Sequence, residues 1–262
     1  MKALRPVLFA ALLASACTAA LDAHAGRNCE AQAPSALNVE RALDLAQRTA
    51  QALDASGADV VILARAGQDL SRYKLQWSHL GLAYRDGAQW RVVHKLNSCG
   101  SAQADLYRQG LGEFFMDDLH DYQAAWVVLS ADLQAQLRPL LHDNQRVRRL
   151  HTPSYSMVAY PWAETYQQSN QWAIETLALA QEPSATTRQR AQAWLQFQGY
   201  EPTVLRISPL VRLGARMTAA NVAFDDHPDA KRYSDRIETV TVDSVFAWLP
   251  RAGLSGPVQV LR

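Results

Sequence analysis

From Leu37 to Ser56 apolar side chains return every three or four residues, at Val39, Ala42, Leu43, Ala46, Ala50 and Leu53, which predicts an amphipathic helix ended by Gly57. Val60 to Ala64 is a continuous apolar run behind Asp59, the pattern of a buried strand. Residues 66–76 read as a loop. Two alternating segments follow, 77–84 and 90–96, joined at Asp86-Gly87, and together they read as a hairpin. Beyond the turn Asn97-Ser98-Cys99-Gly100 the pattern predicts a helix over Ala102–Gln109, a loop through GLGEFFMDDLHDY and a short buried strand at Trp126–Leu129. Ser130 then caps a helix with a stripe of Leu133, Leu137, Leu140 and Leu141. Ser169–Ala180, stopped by Pro183, and Thr186–Gln198 are further helices. After Gly199 the pattern weakens to a strand at Val204–Ile207, helical turns over Leu210–Met217 and a strand at Ile237–Val242.

The hairpin is where chemistry first enters. Its outgoing strand puts Trp77, His79, Gly81 and Ala83 on one face, because strand side chains alternate, and its return strand puts Trp90, Val92, His94 and Leu96 on one face. Register decides whether the two histidines share a side; a slip of one residue separates them.

The order Asp59-Val60-Val61, Ser78-His79-Leu80-Gly81-Leu82, hairpin, Val92-Val93-His94 resembles the circularly permuted papain-fold group, which includes the permuted NlpC-type peptidases and the lecithin retinol acyltransferase-like proteins. The pattern is also similar to an uncharacterised bacterial family of secreted proteins, domain of unknown function 2145. The similarity spans roughly residues 58–180. It implies an α+β, papain-like fold with a small antiparallel sheet packed on helices. It also implies a histidine base, a second polar residue on the next strand and a nucleophile at the start of a later helix. The matching late stretch, Tyr166 to Trp172, offers Ser169 where the group has cysteine.

The chemistry of such a site assigns the roles. Ser169 is cast as nucleophile, His79 as the base that takes its proton and His94 as the group orienting that base, with Gln168 and Asn170 as oxyanion or supporting groups. A serine hydroxyl is far less acidic than a thiol and depends fully on its base, and serine is also a good helix cap with no catalysis. Two function classes therefore stand side by side: a hydrolase or acyltransferase acting on an amide or ester, and a catalytically inactive module that keeps the cleft. A third, a metal-dependent hydrolase, would join His79 and His94 to the loop Asp225-Asp226-His227-Pro228, although no H-x-x-x-H or H-E-x-x-H spacing occurs. No cofactor is implied. Arg146, Arg148 and Arg149 read as a solvated face or helix-end complement, with contact to an anionic substrate as the alternative.

Composition places the chain. Lys2 and Arg5, the apolar run Val7–Ala20 and Ala23-His24-Ala25 make residues 1–25 a secretory signal cleaved after Ala25, with lipidation at Cys17 as the rival reading. Export to the periplasm or beyond follows. Losing Lys2, Arg5 and Asp22 turns 26 basic and 25 acidic residues into 24 of each, so nothing marks a nucleic-acid partner. No other stretch approaches the roughly 20 apolar residues of a membrane span. The expected partner is a small-molecule, peptide or acyl group of the cell envelope. Cys29 and Cys99, the two mature cysteines, are expected to form a disulfide in an oxidising compartment. With no repeat or linker, residues 26–200 read as one domain and 201–262 as an extension packed on it.

Overall fold

The computed structural model describes residues 34–117 and 119–262. The signal segment, Cys17 and Cys29 lie outside the described residues. The chain is α+β: among the described residues, nine helices surround a six-stranded antiparallel sheet. Helix α1 (Ala36–Ala55), capped by Ser35, matches the expected amphipathic segment, and β1 (Val60–Ala66) is buried along its whole length. Strands β2 (His79–Asp86) and β3 (Gln89–Asn97) form the expected hairpin. Its loop is Gly87-Ala88, with Gly87 at φ +60°, a left-handed conformation that glycine adopts without strain.

The segment expected as a helix over 102–109 is instead β4 (Ala104–Gly110), paired with β3 from Asn97↔Ala104 to Arg91↔Gly110. Its neighbours explain the change. The exposed edge of β3 offers a ladder of backbone partners, and this tertiary pairing overrides the local preference. The expected loop at 110–122 holds a short helix, α2 (Leu111–Phe115), and the start of β5 (Asp121–Val128). Helices α3 (Ala131–His142), α4 (Asn144–Val147), α5 (Ser169–Gln181) and α6 (Arg188–Phe197) follow. The C-terminal part adds β6 (Thr203–Arg206), α7 (Pro209–Thr218), α8 (Asp229–Arg232), β7 (Arg236–Thr239), α9 (Val242–Arg251) and β8 (Gln259–Leu261). Strand order in the main sheet is β4-β3-β2-β1-β5-β8, and β6 and β7 form a separate ribbon.

Alternation along the strands gives the sheet two dry faces. Val61, Leu63, Ala83, Val92, Ala124 and Trp126 pack under α1 and α2, against Leu45, Leu53, Phe114 and Phe115. Ile62, Leu80, Leu82, Val93 and Val127 face α3, α5, α6 and α9. Helix α5 is buried from Ser169 through Ala178, so it lies in the middle of that second layer rather than on the surface. The region after residue 200 is woven into the same body: Val242, Val245, Trp248 and Leu249 of α9 join the second core, and β8 pairs with β5. Leu205, Ile207, Ala215, Phe224 and Ile237 make a smaller core of their own.

Candidate functional site

The hairpin register decides the histidine question. Asp86↔Gln89 closes the loop and Leu82↔Val93 ends the paired stretch, so continuing the register sets Gly81 opposite His94 and His79 one step diagonal to it, on the same face. Gly81 permits the approach. A Cβ there would lie 2.4 Å from the Val92 Cγ1 and 3.2 Å from the His94 Cβ. The two rings meet edge to face with centroids 5.1 Å apart, and His79 Nε2 lies 2.8 Å from His94 Nδ1.

Hydrogen bonding fixes the tautomers. His94 Nε2 lies 2.8 Å from Gln109 Oε1, an acceptor, so His94 carries its proton on Nε2 and accepts at Nδ1 from His79 Nε2–H. Burial, reinforced by the nearby Arg65 guanidinium and only partly opposed by the bond to Gln109, pushes His94 down to about 3, so it is neutral at any ordinary pH. Phe114 lies against both rings, 6.0 Å from His79 and 5.3 Å from His94. Arg65, paired with His79 across β1 and β2, stacks 4.7 Å over Phe114 and binds the Phe114 carbonyl and the Asp117 carboxylate. His94 is fully buried, whereas His79 is partly exposed at the strand's start.

The helix start expected to bring the nucleophile is built differently. Gln168, not Ser169, is the N-cap of α5: its Oε1 accepts from the Asn170 N–H at 3.2 Å while Gln171 accepts from the Gln168 N–H. Gln168 Nε2 is spent on the Met157 carbonyl. Ser169, almost fully buried, lies beside the buried Tyr155 phenol, whose pKa burial raises and the Ser169 side chain partly lowers. Tyr155 in turn sits against Lys95, whose Nζ is 5.9 Å from its ring centre. Lys95 is the residue after His94, and alternation sends it to the opposite face of the sheet. The structure therefore joins His79 to His94 on the α1–α2 face, while the partners of Ser169 belong to the α5 face. Ser169 as nucleophile for His79 has no geometric support here.

Asn170 is the side chain that reaches the histidine strand. Past the Leu82↔Val93 pair, the Leu80 N–H is taken by Asn170 Oδ1 at 3.1 Å, and Asn170 Nδ2 donates to the Val240 carbonyl at 3.2 Å. Each amide nitrogen gives one hydrogen to a backbone carbonyl, Asn170 to Val240 and Gln168 to Met157, and each amide oxygen accepts from a backbone N–H.

Around the helix start runs a buried polar network that sequence reasoning missed. Lys95 Nζ donates to the Thr152 carbonyl at 2.6 Å and to Gln167 Oε1 at 2.9 Å, and Gln167 Nε2 donates to Glu175 at 2.6 Å. Arg188 grips Glu175 with Nε at 2.9 Å and Nη2 at 3.2 Å, and Gln192 adds a third donor. Burial, aided by the Arg188 charge, pulls Lys95 down to about 7. The visible signal was Lys95 itself, a lysine at an inward position of an apolar strand. Gln109 was missed because its segment read as a helix.

The Asp225–His227 loop forms no centre with the hairpin. His227 Nδ1 faces Asp226 at 3.0 Å and Nε2 faces the Glu238 carbonyl at 2.9 Å, so both ring nitrogens are occupied. Asp226 also accepts from the Tyr160 N–H at 2.7 Å, and Asp225 from the Tyr166 hydroxyl at 3.2 Å. Among the described residues no three or more His, Cys, Asp or Glu side chains are placed to hold a metal ion. No helix of these residues is long and apolar enough to cross a membrane. Cys99 lies in the turn after β3, and Cys29 lies outside the described residues.

No curated protein and no solved structure matches the chain. A family model does, over residues 52–249, from the last turn of α1 through nearly all of α9 and including the hairpin, Asn170 and the buried network. The chain belongs to the family described as "Uncharacterized protein conserved in bacteria (DUF2145)".

Proposed function

We propose that this protein is a catalytically silent, papain-like binding module of the bacterial cell envelope, which meets a peptide or acyl ligand at the histidine-bearing end of its sheet. The observation that carries this reading is the address of the helix start: Asn170, not a nucleophile, reaches the strand beside His79, while Ser169 is enclosed with Tyr155. A carboxamide nitrogen, its lone pair delocalised into the carbonyl, is not a nucleophile that a neighbouring imidazole can activate. The partly exposed His79, oriented by His94 and backed by Phe114, supplies a directional polar contact beside an aromatic one. The basic, apolar and A-x-A start supports export with cleavage after Ala25 to a periplasmic or secreted protein, Cys17 lipidation being the alternative.

A hydrolase or acyltransferase is the second reading, and the His79–His94–Gln109 chain favours it, since an oriented base of fixed tautomer is what water or hydroxyl activation needs. One experiment separates the two. The mature protein is treated with a fluorophosphonate that labels activated serines and is assayed on a panel of esters. The binding reading expects no label on Ser169 and no turnover that depends on His79. Ester turnover lost in His79→Ala would support the second reading, and label on Ser169 would restore the serine mechanism.

A further inference from the structure

We infer that the open depression beneath α4 is a second binding site, for a carboxylate carried on a small apolar group such as the free C-terminal end of a peptide. The depression has a volume of about 180 Å³ and is lined by Arg146, Arg149, Leu179, Pro183 and Thr186. None of its lining residues belongs to the reading proposed above. Asp143 caps α4 through the N–H groups of Gln145 and Arg146, at 2.8 and 3.1 Å, and Val147 and Leu150 are buried beneath the turn. Arg146 and Arg149, three residues apart, are thereby held on the outer side of a fixed turn.

The two guanidinium groups have no carboxylate partner among the described residues. A second depression nearby, of about 190 Å³, makes the contrast. Its Arg148 is paired with Asp105 at 2.9 Å, and its Arg108 donates to the Leu141 carbonyl at 2.6 Å, so its cations are already committed. At the first site the nearest acidic side chain in sequence, Glu182, is turned to the Ser184 N–H instead, at 3.1 Å. Two planar cations with no carboxylate partner among the described residues, in a depression also lined by Thr186, suit a carboxylate, which guanidinium binds in a two-point fork. Leu179 and Pro183 add an apolar wall. Bare phosphate would gain nothing from that wall, whereas a carboxylate with a short aliphatic group uses both halves of the site.

Calorimetric titration of the mature protein tests this with N-acetyl-alanyl-alanine, its C-terminal amide and inorganic phosphate. The free acid is expected to bind, at least about tenfold more tightly than either the amide or phosphate, and to weaken as salt is raised. Arg146→Ala/Arg149→Ala should lose at least about tenfold in affinity while keeping the wild-type circular dichroism spectrum, and Thr186→Val should lose less. Equal binding of acid and amide, phosphate binding as tightly as the acid, or an undiminished affinity in the double variant would each overturn the assignment.

Discussion

His94 shows how one residue's surroundings decide what it can do. Its neutral ring is held between a donor, His79, and an acceptor, Gln109, with no water-facing surface, so charging it would leave a cation buried next to Arg65. Its folded pKa of about 3 lies below the unfolded value near 6.5, so between those values the unfolded chain holds the extra proton. Stability from this group is complete above about pH 6.5 and is lost as pH falls toward 3. The linkage amounts to about 2 kcal/mol between pH 7 and pH 5. Urea unfolding at the two pH values should show this loss in the wild type and a clearly smaller one in His94→Gln, the remainder being shared with His151, which burial lowers to about 4. An equal loss in both proteins would remove His94 from the account. The hairpin and its two histidines were legible in the sequence; that they share a face was left to the register, since a slip of one residue separates them. The role of Ser169 was not legible, because a serine at a helix start looks the same whether it faces a base, caps the helix or turns into a buried cluster.

At the scale of elements, the hairpin and the long helices were legible because each carries its own period: two in β2 and β3, three to four in α1 and α3. The turn sits one residue later than Asp86-Gly87, yet that shift moves the register by two, which keeps both histidines on one face. What was illegible depended on distant partners. The segment 104–110 becomes a strand only because β3 is there to pair with it, and α5 is buried on all sides because the sheet, α6 and α9 converge on it, which its sequence reveals only in Ser169, Asn170, Gln171 and Glu175 finding partners inside. The hairpin makes its own prediction. Gly81→Ala forces a methyl group into the space of the Val92 side chain and should cost about 1–3 kcal/mol by overpacking. Denaturant unfolding measures it, and a change below about 0.5 kcal/mol would show that β2 and β3 are not locked at this point.

For the whole molecule, the sequence indicated one α+β body, and the structure ties the stretch after residue 200 into it through α9 and β8. The predicted Cys29–Cys99 bond would fasten the mature N-terminus to the turn after β3. Closing so long a loop contributes about 3–5 kcal/mol if unstrained. Intact mass after alkylation, with and without reductant, should show no free thiols in protein made in the periplasm and two after reduction; two free thiols without reductant would refute the pairing.

The central claim is that the helix start does not deliver a nucleophile to His79. It is tested most directly by placing thiols there, Ser169→Cys and Asn170→Cys, and measuring their reaction with iodoacetamide near pH 7 in backgrounds with and without His79→Ala. The account predicts that the thiol at 169, enclosed beside Tyr155, reacts no faster than a free model cysteine and is indifferent to the loss of His79. A thiol at 169 that reacts far faster than the model, and loses that advantage in His79→Ala, would contradict it and return Ser169 to the centre of a catalytic site.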